Sequence, residues 1–225
     1  MNIENALNGF CEKHFNETND WYSWRKINAT LIPNRVKAEG INQYFQNINL
    51  KGALHKEWLL AIDDKRKEEL VKYYIKDWGG IKSNGENKLK EYTHAREDNL
   101  IQKGKSGIAS WSKALVVRNP SQYAIFDARV SASLNCLQII HNIENKVLYP
   151  LLSSRNNKIK IGNKMLDTLS KKGSWTKAND IDFYNDYLVL LNGVANKRNE
   201  HISTVEMLLF AKAEDLVDEA QEFIK

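Results

Sequence analysis

The side chains best suited to chemistry fall in residues 103–137, KGKSGIASWSKALVVRNPSQYAIFDARVSASLNCL. Gly107 and Ala109 flank Ile108. Backbone there can approach another molecule closely on both sides of an apolar anchor. Backbone N–H groups at a helix start point outward at the positive end of the helix dipole, so such a turn binds phosphate whatever the base sequence. Lys103 and Lys105 add charge beside it, and Lys105, Ser106, Gly107, Ala109, Ser110 and Lys113 are the candidate contacts. The same residues also suit a plain helical turn with Ile108 in the core. Asp127 follows the apolar run Ala124-Ile125-Phe126 and opens a helix. As an N-cap it contributes ~1 kcal/mol. The dipole also favours a negative charge there, and a carboxylate facing a cavity can stabilise a developing sugar cation or orient an attacking water. The two roles do not exclude each other.

Other chemistries lack their residues. The five histidines, His14, His55, His94, His141 and His201, show no metal-ligand spacing. Neither a GxxxxGK[ST] loop nor an HExxH motif occurs. Cys11 and Cys136 are the only cysteines, too few for an iron–sulfur cluster or a disulfide framework. No metal and no cofactor is expected, and a reducing cytoplasm fits the cysteine usage. The opening MNIENALNGFCEKHF has no basic stretch followed by an apolar core, so no secretion signal is expected. No run of about 18 apolar residues is present, so no membrane-spanning helix is expected.

The elements that would position these residues follow helical periodicity. The chain has 225 residues, 42% hydrophobic and 27% charged, with six Trp, nine Tyr and seven Phe to build a core. Ile3, Ala6, Leu7, Phe10 and His14 share one helix face; Trp21, Trp24, Ile27 and Leu31 give a second stripe. Asp64 can cap a helix that Gly79-Gly80 stops. A helix from Ile108 ends before Pro120, and Val130, Leu134, Leu137 and Ile140 line the next. Ile161, Met165 and Leu169 point to another, although Lys158-Ile159-Lys160-Ile161 also alternates like a strand. Ser203 with Glu206 forms a capping box ahead of a final helix reaching Phe223. Few period-2 segments exist, so the chain reads as all-α, with about nine or ten helices. The net charge of +5 favours polyanionic partners weakly. The run Lys158, Lys160, Lys164, Lys171 and Lys172 reads as a solvated face, with phosphate contact as the alternative.

The order of turn, helix and aspartate resembles the helix-hairpin-helix DNA glycosylase superfamily, which includes endonuclease III, 8-oxoguanine glycosylases and 3-methyladenine glycosylases. Gly107-Ile108-Ala109-Ser110-Trp111-Ser112 resembles the hairpin, Ile125-Phe126-Asp127-Ala128-Arg129-Val130 the aspartate segment, and Ser133-Leu134-Asn135 the sequence that follows it. Ala109 replaces the second hairpin glycine, no proline precedes Gly107, and the 16-residue step from Trp111 to Asp127 is shorter than usual in the family. The resemblance implies a single domain over 1–225, a two-lobed helical bundle with a cleft between the lobes, its hairpin and catalytic segment spanning 103–137.

It also implies roles. The hairpin would grip the backbone of double-stranded DNA, and a modified base would be flipped out of the duplex. Asp127 would stabilise the cationic sugar as the base leaves. Trp111 and Tyr123 would line the base pocket, while Trp175 reads as core. Strand-cutting members carry lysine where Trp111 stands, so a monofunctional enzyme that leaves an abasic site is expected. Lys113 lies about 200° round the helix from Trp111, away from that direction. A monomer is expected. Base excision in anti-phage defence, acting on glucosylated hydroxymethylcytosine, is one form of this reading. Repair of alkylated or oxidised bases is another, and a non-catalytic helical DNA-binding protein is the alternative class.

Overall fold

The computed structural model describes residues 1–24 and 26–225. Among the described residues there are eleven α-helices. In chain order they are α1 (Ile3–His14), α2 (Gln43–Leu60), α3 (Asp64–Lys72), α4 (Glu86–His94), α5 (Glu97–Ile101), α6 (Ile108–Arg118), α7 (Ala128–Ile140), α8 (Asn157–Lys172), α9 (Phe183–Arg198), α10 (Ile202–Ala211) and α11 (Ala213–Phe223). A π-helical turn, Tyr73–Trp78, continues α3, and Ala29–Leu31 form a 3-10 turn. Two-residue strands β1 (Val147–Leu148) and β2 (Thr176–Lys177) pair in parallel. The all-α expectation holds. The helix count exceeds nine or ten because two periodic runs break: the backbone turns extended at Ala95, and α10 gives way to α11 at Lys212.

Helix α7 is the centre of the packing. Residues 130–139 are all buried, and α8, α10, α11 and α1 lie against them. A helix buried all round must satisfy its polar side chains internally. Ser131 Oγ donates to Pro150 O at 2.6 Å and Ser133 Oγ to Leu209 O at 2.6 Å. Asn135 exchanges two hydrogen bonds with the backbone of Tyr149, at 3.1 and 2.9 Å. These bonds fasten α10 and the 143–150 loop to α7, and so hold the start of α7 in place. A second group, α2, α3 and α4 with the π turn, packs on α6.

Two local expectations are corrected and one ambiguity, at Lys158 to Ile161, is resolved in favour of a helix. Trp21, Trp24, Ile27 and Leu31 do not form a helix stripe; apart from the Ala29–Leu31 turn the described residues of the segment are irregular. Its aromatic spacing serves a cluster instead, with Trp21 5.6 Å from Tyr44 and Trp24 edge-on to Phe210 at 4.7 Å. Lys158 to Ile161 is helical, capped by Asn156, whose Oδ1 accepts from Ile159 N at 3.1 Å. Ile159 is buried and Ile161 exposed, as helical rather than strand geometry requires with Gly162 and Leu166 inward. Asp63, not Asp64, caps α3, accepting from Arg66 N at 2.7 Å.

Gly162 lets α8 meet α11 closely: a Cβ there would lie 2.7 Å from Val217 Cγ2. Val217 is stiff at χ1 in a helix, so the helices themselves would have to part. Gly162→Leu should cost about 1–3 kcal/mol by overpacking. An unchanged melting temperature would show that this contact is not tight in solution.

Candidate active site

Asp127 is held in place by the segment that precedes it. Residues 123–126 are buried yet belong to no helix or strand, so their backbone groups need other partners. Tyr184 Oη donates to Ala124 O at 2.7 Å, Tyr187 Oη to Ile125 O at 2.8 Å, and Phe126 N to Ser112 Oγ at 3.2 Å. Helices α6 and α9 therefore clamp the segment. Asp127 then caps α7, its Oδ1 accepting from Arg129 N at 2.9 Å and Val130 N at 3.1 Å. Its Oδ2 takes no hydrogen bond among the described residues, which leaves one carboxylate oxygen for a ligand.

That carboxylate lines a narrow cavity of about 50 Å³. Tyr22, Trp24, Trp78 and Phe210 supply aromatic walls, and Lys51, Lys113 and Glu206 bring three further charge-bearing groups. The walls are braced from behind. Trp78 stacks on Tyr74 at 4.3 Å and donates from Nε1 to Asn47 Oδ1 at 2.8 Å. The Arg129 guanidinium lies 5.2 Å from the Trp24 and Phe210 ring centroids, held by Glu214 at 2.5 Å. Lys51 Nζ, on α2, donates to Glu206 Oε2, on α10, at 2.5 Å, and both side chains are buried. Burial pushes the Glu206 carboxyl above its ordinary range, with Lys51 opposing the shift. Burial likewise pulls Lys113 below the ordinary lysine range, opposed by Asp127 and Glu206. A buried lysine so shifted holds more of its amine in the neutral, nucleophilic form.

Lys113 owes its place to Gly79. A Cβ at residue 79 would lie 2.8 Å from Lys113 Cε and 2.8 Å from Ile75 O. Without that side chain, Lys113 runs past the end of the π turn, and its Nζ donates to Ala109 O at 2.7 Å. Acid, amine and aromatic walls thus meet where the N-terminal helices face α7 and α10. A roomier hollow of about 330 Å³ near Ile143, Tyr149 and Phe183 has no lysine or arginine in its lining. Comparison of the chain with protein-family models, curated proteins and solved structures finds no match.

The sequence-derived site residues divide. Asp127 faces the cavity. Trp111 does not: it is fully buried, edge-on to Tyr184 at 4.8 Å, with Nε1 donating to Ser106 O at 3.2 Å. Tyr123 does not either, since its hydroxyl donates to Glu97 Oε2 at 2.6 Å. Lys113, expected to point away and to meet DNA, is buried in the cavity instead. The half-turn between residues 111 and 113 is real, but Trp111 anchors the core side, so Lys113 takes the cavity side. Ser110 is buried as well, accepting from Asn84 Nδ2 at 2.7 Å, and its N–H donates to Gly107 O at 2.9 Å.

Lys105, Ser106 and Gly107 remain exposed. Gly104 (φ +55°) and Gly107 (φ +72°) both take the left-handed backbone that glycine favours. A Cβ at Gly107 would lie 2.4 Å from the Tyr92 hydroxyl. The N–H groups of Gly107 and Ala109 have no backbone acceptor among the described residues. Lys105 is 3.7 Å from Asp180.

Lys51 and Glu206 were not singled out as site residues from sequence. Glu206 reads as half of a capping box, but His201 caps α10, its Nδ1 accepting from Ser203 N at 3.2 Å. That frees Glu206 to face Lys51, 155 positions away in sequence. Lys51→Met alone would leave a buried carboxylate unpaired and should destabilise by about 3–5 kcal/mol near neutral pH. A raised carboxyl binds its proton more tightly folded than unfolded, so the loss should shrink as pH falls toward the ordinary carboxyl range. Lys51→Met with Glu206→Leu should restore most of the stability. Denaturant titration of the three proteins checks both statements, and equal destabilisation by the single and double variants would contradict them.

Proposed function

We propose that the protein is a DNA N-glycosylase that removes a modified base and attacks the sugar through Lys113. The observation that carries this reading is Asp127 and the buried amine of Lys113 lining one aromatic cavity. Further support comes from the glycine-bearing turn at residues 104–107, exposed at Lys105, Ser106 and Gly107, with N–H groups at Gly107 and Ala109 that have no backbone acceptor among the described residues and suit a phosphate. The net charge of +5 agrees in sign.

In this mechanism the turn grips duplex backbone and the target nucleotide rotates toward the aromatic walls. The cavity is narrow, so admitting a base requires those walls to part. The glycosidic C1′–N bond breaks and the base leaves with the bonding electrons, taking up a proton. Asp127 Oδ2 stabilises the positive charge spreading over the sugar ring. The neutral Nζ of Lys113 bonds to C1′ and gives up one of its protons, the ring oxygen takes up a proton as the C1′–O bond opens, and a protonated imine results. Loss of a C2′ proton then expels the 3′ phosphate and cuts the strand, and hydrolysis of the imine returns the amine. The lysine enters this reading because Trp111 faces the core. A base-releasing enzyme that uses water instead is the outcome if Lys113 proves dispensable.

Mass spectrometry of bases released from genomic, oxidised, alkylated and glucosylated phage DNA tests the reading and identifies the base. Asp127→Asn should lower release by several orders of magnitude while the protein stays folded, because Asn also caps helices well. Wild-type release by that variant would remove Asp127 from the chemistry. Borohydride should trap a covalent adduct on duplex containing an abasic site, and Lys113→Ala should abolish it. The lowered Lys113 amine predicts that trapping rises with pH and levels off below the ordinary lysine range near 10.5. An adduct that persists in Lys113→Ala would assign the attack to another amine.

A further inference from the structure

The proposed chemistry uses Asp127 and Lys113 but leaves the second charged pair of the cavity without a task. Lys51 and Glu206 are both buried and both face the cavity. Only one oxygen of the carboxylate is engaged: Lys51 donates to Oε2, and Oε1 receives no hydrogen bond among the described residues. Lys51 Nζ carries three N–H donors and directs one at Glu206. The pair therefore offers a free acceptor beside free donors, in a narrow cavity lined by aromatic side chains. Stability does not account for it, because an apolar pair of similar volume commonly does as well or better than a buried ion pair.

A planar ring admitted once the aromatic walls part, carrying an N–H next to a carbonyl, would complete both groups. Its N–H would donate to Glu206 Oε1 and its carbonyl oxygen would accept from Lys51 Nζ. We propose that the Lys51–Glu206 pair reads the lactam edge of the displaced base, so that the base taken has an unalkylated N–H beside its carbonyl and bears its modification elsewhere on the ring. This proposal rests on the glycosylase reading and narrows its substrate class, setting aside bases alkylated on the lactam nitrogen. A site that must hydrogen-bond its ligand rejects an analogue lacking the bond strongly, because its own buried groups are then left unpaired.

The test uses ligand-observed NMR with two pairs of bases, 1-methyluracil with 1,3-dimethyluracil and hypoxanthine with 1-methylhypoxanthine. The added methyl in each pair removes the N–H beside the carbonyl and leaves the carbonyl. Wild-type protein should bind at least one parent base tenfold or more tightly than its N-methyl partner. Glu206→Gln should narrow that ratio, and the Lys51→Met, Glu206→Leu double variant, its fold checked by circular dichroism, should bring it close to one. Failure to bind either parent base, or an undiminished ratio in a folded variant, would overturn the proposal. Because wild type alone shows whether the methyl matters, the comparison decides even where a variant does not fold. Wild type that releases bases from DNA yet binds parent and N-methyl bases alike would overturn this inference alone. Wild type that discriminates the bases yet releases none from any DNA would keep the reading of the pair and defeat the glycosylase reading.

Discussion

The buried, irregular backbone of residues 123–126 is the constraint on which the cavity depends. Such a segment is costly unless every carbonyl and N–H finds a partner. Here the partners are side chains from two helices, Tyr184 and Tyr187 of α9 and Ser112 of α6. Tyr184 also packs edge-on against Trp111, so one tyrosine orients both the segment and the helix bearing Lys113. The face of α6 opposite Trp111 is thereby turned to the cavity. Asp127 is delivered at the end of the clamped segment with one oxygen committed to α7 and the other free. The position of Asp127 follows from these three hydrogen bonds.

The cavity's electrostatics follow from the same burial. Lys51, Lys113, Asp127 and Glu206 line one narrow space with aromatic walls, and burial acts on Glu206 and Lys113 according to the sign of each. Glu206 is raised and Lys113 lowered, each chiefly by desolvation. The Lys51–Glu206 pair is closed on itself at one oxygen, whereas Lys113 is tied only to a carbonyl of its own helix. In the proposed mechanism the first arrangement holds a polar ligand edge in register and the second releases an amine for attack. Gly79 connects this to the fold, since the space Lys113 occupies exists because the π turn ends in a residue without a side chain.

Much of the architecture was legible in sequence because helical periodicity is local. Asp127 was legible for the same reason: an apolar run followed by a capping aspartate marks a helix start. Residue 113 was misplaced because angular spacing fixes only relative direction. Two residues on a helix can be known to face opposite ways without knowing which of them faces the core, and that depended on Tyr184, 73 positions beyond Trp111. Glu206 was read as a capping box because Ser203 stands three residues before it. Its better signal was a lone carboxylate in ISTVEMLLFA, an otherwise uncharged helix, where a buried charge demands a partner. That partner, Lys51, lies in α2 among residues that carry no motif. The aromatic residues of the 15–42 segment misled for another reason. Their spacing suited a helix stripe, yet they are placed by the rings they pack against.

The account stands or falls on whether Lys113 and Asp127 act on one sugar. The most direct measurement is a crystal structure of the borohydride-reduced complex between the protein and a duplex containing an abasic site. It should reveal a covalent bond from Lys113 Nζ to the sugar C1′, with Asp127 Oδ2 within hydrogen-bonding distance of the same sugar and phosphate against the turn at residues 104–107. A sugar bonded to a different amine, or duplex seated away from the Asp127 cavity, would contradict it.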